Sequence, residues 1–436
     1  MRKLTVKNFS VIKEAELEFG KITVLIGPQS SGKSLLCKLA FFLTRELVGI
    51  ATSSILNGDS WEEYLQAVSR DFWSRFSPGP GLVSQSTKIT FAWSSHEVSM
   101  SWGPDSNDPD FKFSNAFREQ YELMLIGPHQ DAPSVSGAYV PGGISPTARR
   151  QDIWVALNQL LSGPLLDGVV YIPAGRSFFT NASKGVAALQ NPGIDSITRE
   201  FSGNIQWDSR WKVGLMTTGR GVTDEINRRM TDILQGFVMI DSGIPRFLAS
   251  DGRNLPLEAL SSGAQELTPL FNILDQLMYY REHSVVRERA NYDPPQLEKP
   301  IVLRPFIYIE EPEANIFPET QYSLVQVFAW LANDPILDFQ WAITTHSPYL
   351  LSAFNDLIEA GRLGAEGELR AEVNNIIPEK YWVKPGDFKA YSIHDGQLES
   401  IMDKETGLIN GEYLDAISNK IGGDFDALLR IGYAKS

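Results

Sequence analysis

An α/β fold entered through β-strands is what this sequence of 436 residues predicts, and three observations carry that expectation. The apolar run Ile22–Ile26 leads into Gly-Pro-Gln-Ser-Ser-Gly-Lys-Ser at residues 27–34, and helical spacing follows from Leu35. Two more short apolar runs, 306–309 and 340–344, flank a helical pattern at about 318–332. Continuous rather than alternating apolar runs suit strands of a parallel sheet covered by helices on both faces. Ahead of them, residues 4–9 and 16–19 alternate like half-buried strands.

The remaining elements follow in chain order. A helix at about 34–49 precedes a polar, aromatic region reaching to about residue 85. Residues 88–102 alternate twice around Ser94-Ser95-His96 and read as a hairpin. Stretches rich in Pro, Gly, Asp and Ser at 103–109 and 127–146 read as loops, and 152–161 has helical spacing. A short buried strand at 169–172 ends in Pro173-Ala174-Gly175-Arg176. Spacing is helical over 196–238, with a break near 214–221, and again over 259–280. The three prolines of 292–300 mark a linker, residues 389–401 a hairpin about Asp395-Gly396, and 411–431 a closing helix.

Composition narrows the function. The 39 basic and 53 acidic side chains give a net charge of −14, against a protein whose main task is to coat nucleic acid. A single cysteine, Cys37, forms no internal disulfide, and five scattered histidines show no zinc spacing. The start has no apolar leader, and no uninterrupted apolar run approaches the length of a membrane span, so a cytoplasmic location away from membranes is expected.

The motif at 27–34 is a complete phosphate-binding loop. Glycines at both ends let backbone N–H groups and the next helix N-terminus point at phosphate oxygens. Residues Gly27, Pro28, Gln29, Ser30, Ser31, Gly32, Lys33 and Ser34 are therefore expected to bind ATP. Lys33 would reach the β- and γ-phosphates, and the Ser34 hydroxyl would coordinate Mg²⁺. Strand 306–309 ends in Glu310-Glu311-Pro312-Glu313, which puts acids where open α/β sheets bind ligands. Glu310 is expected to hold Mg²⁺ through water and Glu311 to activate the attacking water. His346, directly after the strand at 340–344, could hydrogen-bond the γ-phosphate, although a lone histidine is more often structural. Leu-Ser-Ser-Gly-Ala-Gln-Glu at 260–266 opens a helix and suits an anion. Read alone it fits an ordinary capped helix better, and Pro269 calls for a kink or a start near residue 267.

Taken as a set, the phosphate loop, the 260–266 run, Glu-Glu-Pro-Glu-Ala at 310–314, Thr-Thr-His-Ser-Pro at 344–348 and Tyr-Ile-Pro-Ala-Gly-Arg at 171–176 resemble the ABC-type ATPases of the RecF, SMC and Rad50 group. The stand-alone heads related to OLD-family nucleases are the nearest resemblance. It implies an ABC-type head with a mixed sheet, a β-rich N-terminal lobe and a helical insertion. It also implies head-to-tail dimers with ATP sandwiched between subunits, where Ser262 and Gly263 act on the partner's nucleotide and the turn at 314–318 touches the neighbour. Departures from the family pattern are Glu310 in place of the usual Asp and Asn315-Ile316-Phe317 where relatives often carry Leu-His. The implied division is a first head part at 1–55, an insertion and lobe at 56–244, a second head part at 245–385 and a C-terminal hairpin and helix at 386–436. No sustained heptad pattern occupies the insertion, so a long coiled-coil arm is disfavoured.

The chain after His346 is short for the Toprim nuclease that many such heads carry, and effector chemistry is expected on another protein. The organisation looks similar to the ATPase subunits of PARIS anti-phage defence, which form homo-oligomers, restrain a separate Toprim-type nuclease and release it when a phage trigger protein is sensed. The competing expectation is a DNA-repair ATPase that clamps a duplex, with a transporter motor third. Arg149 and Arg150, Arg228 and Arg229, and Arg281, Arg287 and Arg289 are the clusters that could serve DNA, though each also reads as a solvated helix face.

Overall fold

β1 (Arg2–Phe9) and β2 (Ile12–Phe19) form a tight antiparallel hairpin, with Leu4, Val6, Ala15 and Leu17 turned into the core and Lys and Glu alternating outside. The computed structural model describes residues 2–76, 81–93, 96–103, 108–126, 150, 153–154, 156–157, 160, 169–181, 196–204, 222–291, 305–410, 423–426 and 430. β3 (Ile22–Ile26), β4 (Lys88–Trp93), β5 (His96–Trp102), β6 (Pro109–Phe113) and β7 (Val169–Ile172) follow. A separate three-stranded antiparallel sheet is built from β8 (Gly236–Asp241), β9 (Ile244–Ala249) and β10 (Asn254–Pro256). β11 (Phe306–Glu310), β12 (Gln340–Thr345), β13 (Phe388–His394) and β14 (Gln397–Ser400) complete the strands.

The main sheet has eleven strands in the order β6-β5-β4-β1-β2-β14-β13-β3-β12-β11-β7. It is mixed. Strands β13, β3, β12, β11 and β7 run parallel, whereas β2, β1, β4, β5 and β6 are antiparallel neighbours. Each face has its own core. Phe306 and Tyr308 enter one and Ile307 and Ile309 the other, as the two-residue period of a strand buried on both faces requires.

One face is covered by a helical run from Lys33–Phe41 through a π turn at Phe42–Glu46 into Leu47–Asn57, joined by Trp61–Phe76 and Asn115–Ile126. The run from Lys33 to Asn57 is long and apolar enough to cross a bilayer by composition, but here it is mostly buried in the protein core. The other face is covered by helices Ser262–Asn291, Pro318–Asn333 and Pro348–Gly364.

Several local expectations change. The aromatic region before residue 85 contains helix Trp61–Phe76, which buries Trp61, Tyr64, Val68, Phe72 and Phe76 at helical spacing. A reciprocal cap opens it: Glu63 accepts from the Ser60 N–H at 2.7 Å, and Ser60 Oγ accepts from the Glu63 N–H at 3.3 Å. The helical spacing read up to residue 238 stops at Leu234, and β8 begins at Gly236. The long helix begins at Ser262 with Pro269 inside it, so no start near residue 267 is needed. Helices Asn115–Ile126, Pro348–Gly364 and Arg370–Ile376 were not foreseen. The loops read at 127–146 and 214–221, the linker at 292–300 and most of the closing helix lie outside the described residues.

Candidate active site

Strand register brings the motifs to one edge. β3 pairs with β12 through Ile26 and Thr345, β12 with β11 through Thr344 and Glu310, and β11 with β7 through Ile309 and Ile172. The parallel carboxyl ends therefore deliver the phosphate loop, His346, Glu311 and Arg176 to the same end of the sheet, the ligand end of such folds.

The loop itself is shaped for close approach. A side chain at Gly27 would place its Cβ 2.5 Å from the Ile393 carbonyl oxygen, so only bare backbone fits there. Pro28, Gln29 and Ser30 are exposed, and Ser30 takes a left-handed backbone at φ 58°. Ser31 Oγ is buried with no hydrogen-bond partner among the described residues. Gly32 caps the helix that begins at Lys33, whose first-turn N–H groups face the loop. Lys33 is only 4% exposed, and its Nζ donates to the carbonyls of Gly27 at 2.7 Å and Pro28 at 2.8 Å. Burial lowers its pKa, against the opposing pull of Glu311, Glu313 and Glu310. Ser34, half-buried, lies on the next position of that helix, with the Tyr171 hydroxyl 3.5 Å from its carbonyl.

The acids are held individually. Glu310 is buried, and its two carboxylate oxygens accept from the Tyr171 hydroxyl and, at 3.1 Å, from the Ala174 N–H. Glu311 leaves the strand with φ at 43°, an uncommon conformation for a non-glycine residue, and its N–H donates to the Thr344 carbonyl at 2.8 Å. Its Oε1 lies 3.1 Å from His346 Nε2. Glu313, for which no role was foreseen, fixes that histidine: its Oε1 accepts from the Thr345 hydroxyl and the His346 N–H, both at 2.7 Å. The fully buried Arg176 donates to the carbonyls of Glu310, Glu311 and Pro173. Sequence reading marked the 171–176 stretch as a strand-end motif but gave Arg176 and Tyr171 no task.

The loop carrying Ser262 and Gly263 sits elsewhere on this edge. A Cβ at Gly263 would lie 2.7 Å from the Asn315 carbonyl oxygen, and its three nearest atoms all belong to Asn315 and Ile316. Ser262 is exposed, while Gln265 braces the loop from behind by donating to the carbonyls of Glu258 and Leu260 at 3.0 and 2.9 Å. Gly263 therefore packs on the turn that follows the acids, not on the phosphate loop of its own chain.

These residues fit the group the sequence implies. An orphaned Ser31 hydroxyl, a glycine cradle and a buried ammonium are the donor set for a polyphosphate. No group of three or more His, Cys, Asp or Glu among the described residues could hold a metal ion, so Mg²⁺ would rely on Ser34, Glu310 through water, and phosphate oxygens. Of the basic pair on helix Val222–Leu234, Arg228 is exposed. Arg229 turns inward to Ser323 and Gln326 at 3.2 and 2.9 Å, and Arg150 stands 3.4 Å from Ser53 Oγ. Arg149 and the side chains of Arg281, Arg287 and Arg289 lie outside the described residues.

Residues 180–351 match the family described as the AAA ATPase domain, a span that includes Ser262, Gly263, Glu310, Glu311 and His346 and leaves the phosphate loop outside. No curated protein matches the chain. Among solved structures, the SMC head domain from Thermotoga maritima is 11% identical, with 92% of this chain and 97% of that chain covered and a TM-score of 0.38. An Smc head domain with an extended coiled coil, bound to the C-terminal domain of ScpA from Pyrococcus furiosus, is 11% identical, with 92% and 96% covered and a TM-score of 0.38. The ATP-binding cassette of an ABC transporter in its ADP conformation is 11% identical, with 93% of each chain covered and a TM-score of 0.31. The matched domain and the site at the edge of its sheet make this chain an ATPase of α/β fold.

Proposed function

We propose that this chain is an ABC-type ATPase head whose nucleotide cycle controls a separate effector. The observation that carries the ATPase half is the convergence of buried Lys33 with Glu310, Glu311 and His346 at the ends of three parallel strands, β3, β11 and β12. Lys33 would exchange its loop carbonyls for β- and γ-phosphate oxygens and oppose the charge that builds on them. Glu311 would take a proton from water as the water oxygen bonds to the γ-phosphorus and the bond to the β–γ bridging oxygen breaks. His346, held 3.1 Å from Glu311, would donate to the γ-phosphate or keep the Glu311 carboxylate aimed. Ser34, and Glu310 through water, would hold Mg²⁺, which would supply Lewis-acid stabilisation of the phosphate charge.

The regulatory half rests on three features. Ser262 is exposed and Gly263 packs on the 315–316 turn, an arrangement that suits action on a second subunit's nucleotide in a head-to-tail dimer. No cluster of three or more His, Cys, Asp or Glu that could hold a metal occurs among the described residues, and the net charge of −14 gives little reason for independent action on DNA. The resemblance to PARIS-type ATPases then supplies the role: a homo-oligomeric sensor and scaffold in anti-phage defence that restrains a Toprim-type nuclease until a phage protein is met. The purified chain should hydrolyse ATP, leave plasmid DNA uncut and co-purify with the product of a neighbouring gene when the two are co-expressed. Metal-dependent DNA cleavage by the chain alone, lost in Glu311→Gln, would overturn this reading.

A further inference from the structure

We infer that Arg176 is a positioning residue for hydrolysis, which ties helix Ser262–Asn291, at Glu266, to the backbone of Glu311. The inference rests on the ATPase reading above. The guanidinium is completely buried, at 0% exposure. Removing such a charge from water is costly unless its hydrogen bonds and countercharge are well placed, and an apolar side chain would fill the same volume without that cost. The bonds it makes explain its presence. Nη1 donates to the Glu310 carbonyl at 2.6 Å and Nη2 to the Glu311 carbonyl at 3.0 Å. Those two carbonyls flank the Cα of Glu311, so one rigid fork spans the residue whose φ is 43°. A third restraint comes from the Glu311 N–H on Thr344. Left-handed backbone at a non-glycine residue persists only where its surroundings over-determine it, and the direction of the Glu311 side chain follows from that backbone.

The other end of the guanidinium reaches the helix. Arg176 Nε lies 3.4 Å from the Glu266 carbonyl and 3.6 Å from its Oε2, and Glu266 is itself only 2% exposed. Glu266 Oε2 has no hydrogen-bond partner among the described residues, so this ion pair is what balances its charge there. Glu266 stands one turn beyond the exposed Ser262 and the half-buried Gly263. A displacement of that loop on contact with another subunit's nucleotide therefore has a short, stiff route to the base: Gly263 to Glu266, Glu266 to Arg176, and Arg176 to the peptides on both sides of Glu311. Arg176 touches no reacting atom.

The test compares Arg176→Lys, Arg176→Met and Glu266→Gln with the wild-type chain in nucleotide binding, kcat, KM and thermal stability. Lysine keeps the charge but lacks the rigid planar fork whose separate Nη1 and Nη2 reach the carbonyls on the two sides of Glu311. Both Arg176 variants should bind a fluorescent ATP analogue within about threefold of wild type while kcat falls roughly 10- to 100-fold, the scale of a catalytic group displaced by about 1 Å. Glu266→Gln should lower kcat less, and the double variant Arg176→Met with Glu266→Gln should be no worse than Arg176→Met alone, because both sever one link. A merely structural role predicts a lowered melting temperature with kcat within about twofold of wild type in both Arg176 variants, and that result would overturn the inference. Proportional loss of binding and turnover would overturn it as well. Should Arg176→Met fail to fold, Arg176→Lys and Glu266→Gln are judged by the same split. A wild-type chain without ATP hydrolysis would instead overturn the proposed function and this inference with it.

Discussion

Replacing Glu313 by alanine should loosen the end of β12 and, with it, His346. One carboxylate oxygen accepts two hydrogen bonds at 2.7 Å, from the buried Thr345 hydroxyl and from the His346 N–H. Bonds to a charged acceptor contribute about 1.5–3 kcal/mol each. Water can replace the bond at His346, which is half-exposed, but not the one at Thr345, so the expected net loss lies near the bottom of the summed range, about 3 kcal/mol. Glu313→Gln keeps an acceptor oxygen at the same place, and neutral bonds are about half as strong as charge-assisted ones, so it should lose about half as much. With its anchor gone, His346 is no longer held 3.1 Å from Glu311, and turnover should fall roughly tenfold while ATP binding persists. Urea denaturation of both variants gives the stability term, and kcat at saturating ATP gives the rate. Stabilities within about 0.5 kcal/mol of wild type, together with unchanged kcat, would refute the reasoning.

Other consequences are equally concrete. Lys33→Ala should lose nucleotide binding, yet mixing it with Gly263→Val chains should restore part of the hydrolysis, because one hybrid interface then keeps both intact halves; verified mixed oligomers without any rescue would count against a shared site. Stability should also depend on pH through Glu46, the last residue of the π turn that continues the phosphate-loop helix. Three carboxylates, Glu46, Asp71 and Glu200, share two guanidiniums, Arg45 and Arg75, with Glu46 to Arg75 at 2.6 Å. One acid is in excess, and burial pushes the Glu46 carboxyl from its ordinary 4.5 up to about 7. The folded state thus holds a proton that the unfolded chain releases, so this contribution is full below about pH 4.5 and is lost as pH rises through about 7. At roughly 1.4 kcal/mol per unit the loss is a few kcal/mol at most, and Glu46→Gln should remove it; equal pH slopes for the two proteins in chemical denaturation between pH 5 and 8 would be the contrary result.

The parallel half of the sheet and the phosphate loop are legible in the sequence because continuous apolar runs end in residues with one conformational purpose. Ile22–Ile26 feeding Gly27, and Phe306–Glu310 feeding a Glu-Pro turn, are local signals. The β13–β14 hairpin was equally local, marked by Asp395-Gly396. What stayed hidden depends on contacts between segments far apart. Glu313 reads as one more acid in a turn until β12 is laid beside β11, which brings Thr345 and His346 to it. Arg176 reads as an ordinary strand-end cation until β7 takes the edge beside β11. Helix Trp61–Phe76 was missed for a different reason: its five buried residues keep helical spacing, but Glu62, Glu63, Arg70 and Asp71 between them gave the region a polar cast. Strands β8 and β9 were missed because their apolar residues are largely half-exposed and keep no clean alternation.

Hydrolysis by a base at Glu311 is tested most directly in Glu311→Gln, by single-turnover measurement with bound ATP counted in the same sample. The amide keeps the side chain's shape and leaves Lys33 and the phosphate loop untouched, but it cannot take a proton from water. ATP should remain bound at near wild-type affinity and stay uncleaved, with a single-turnover rate lower by about 100-fold or more. Cleavage of the bound ATP at the wild-type rate would contradict the assignment of Glu311 and, with it, the reading of this sheet edge as the hydrolytic site.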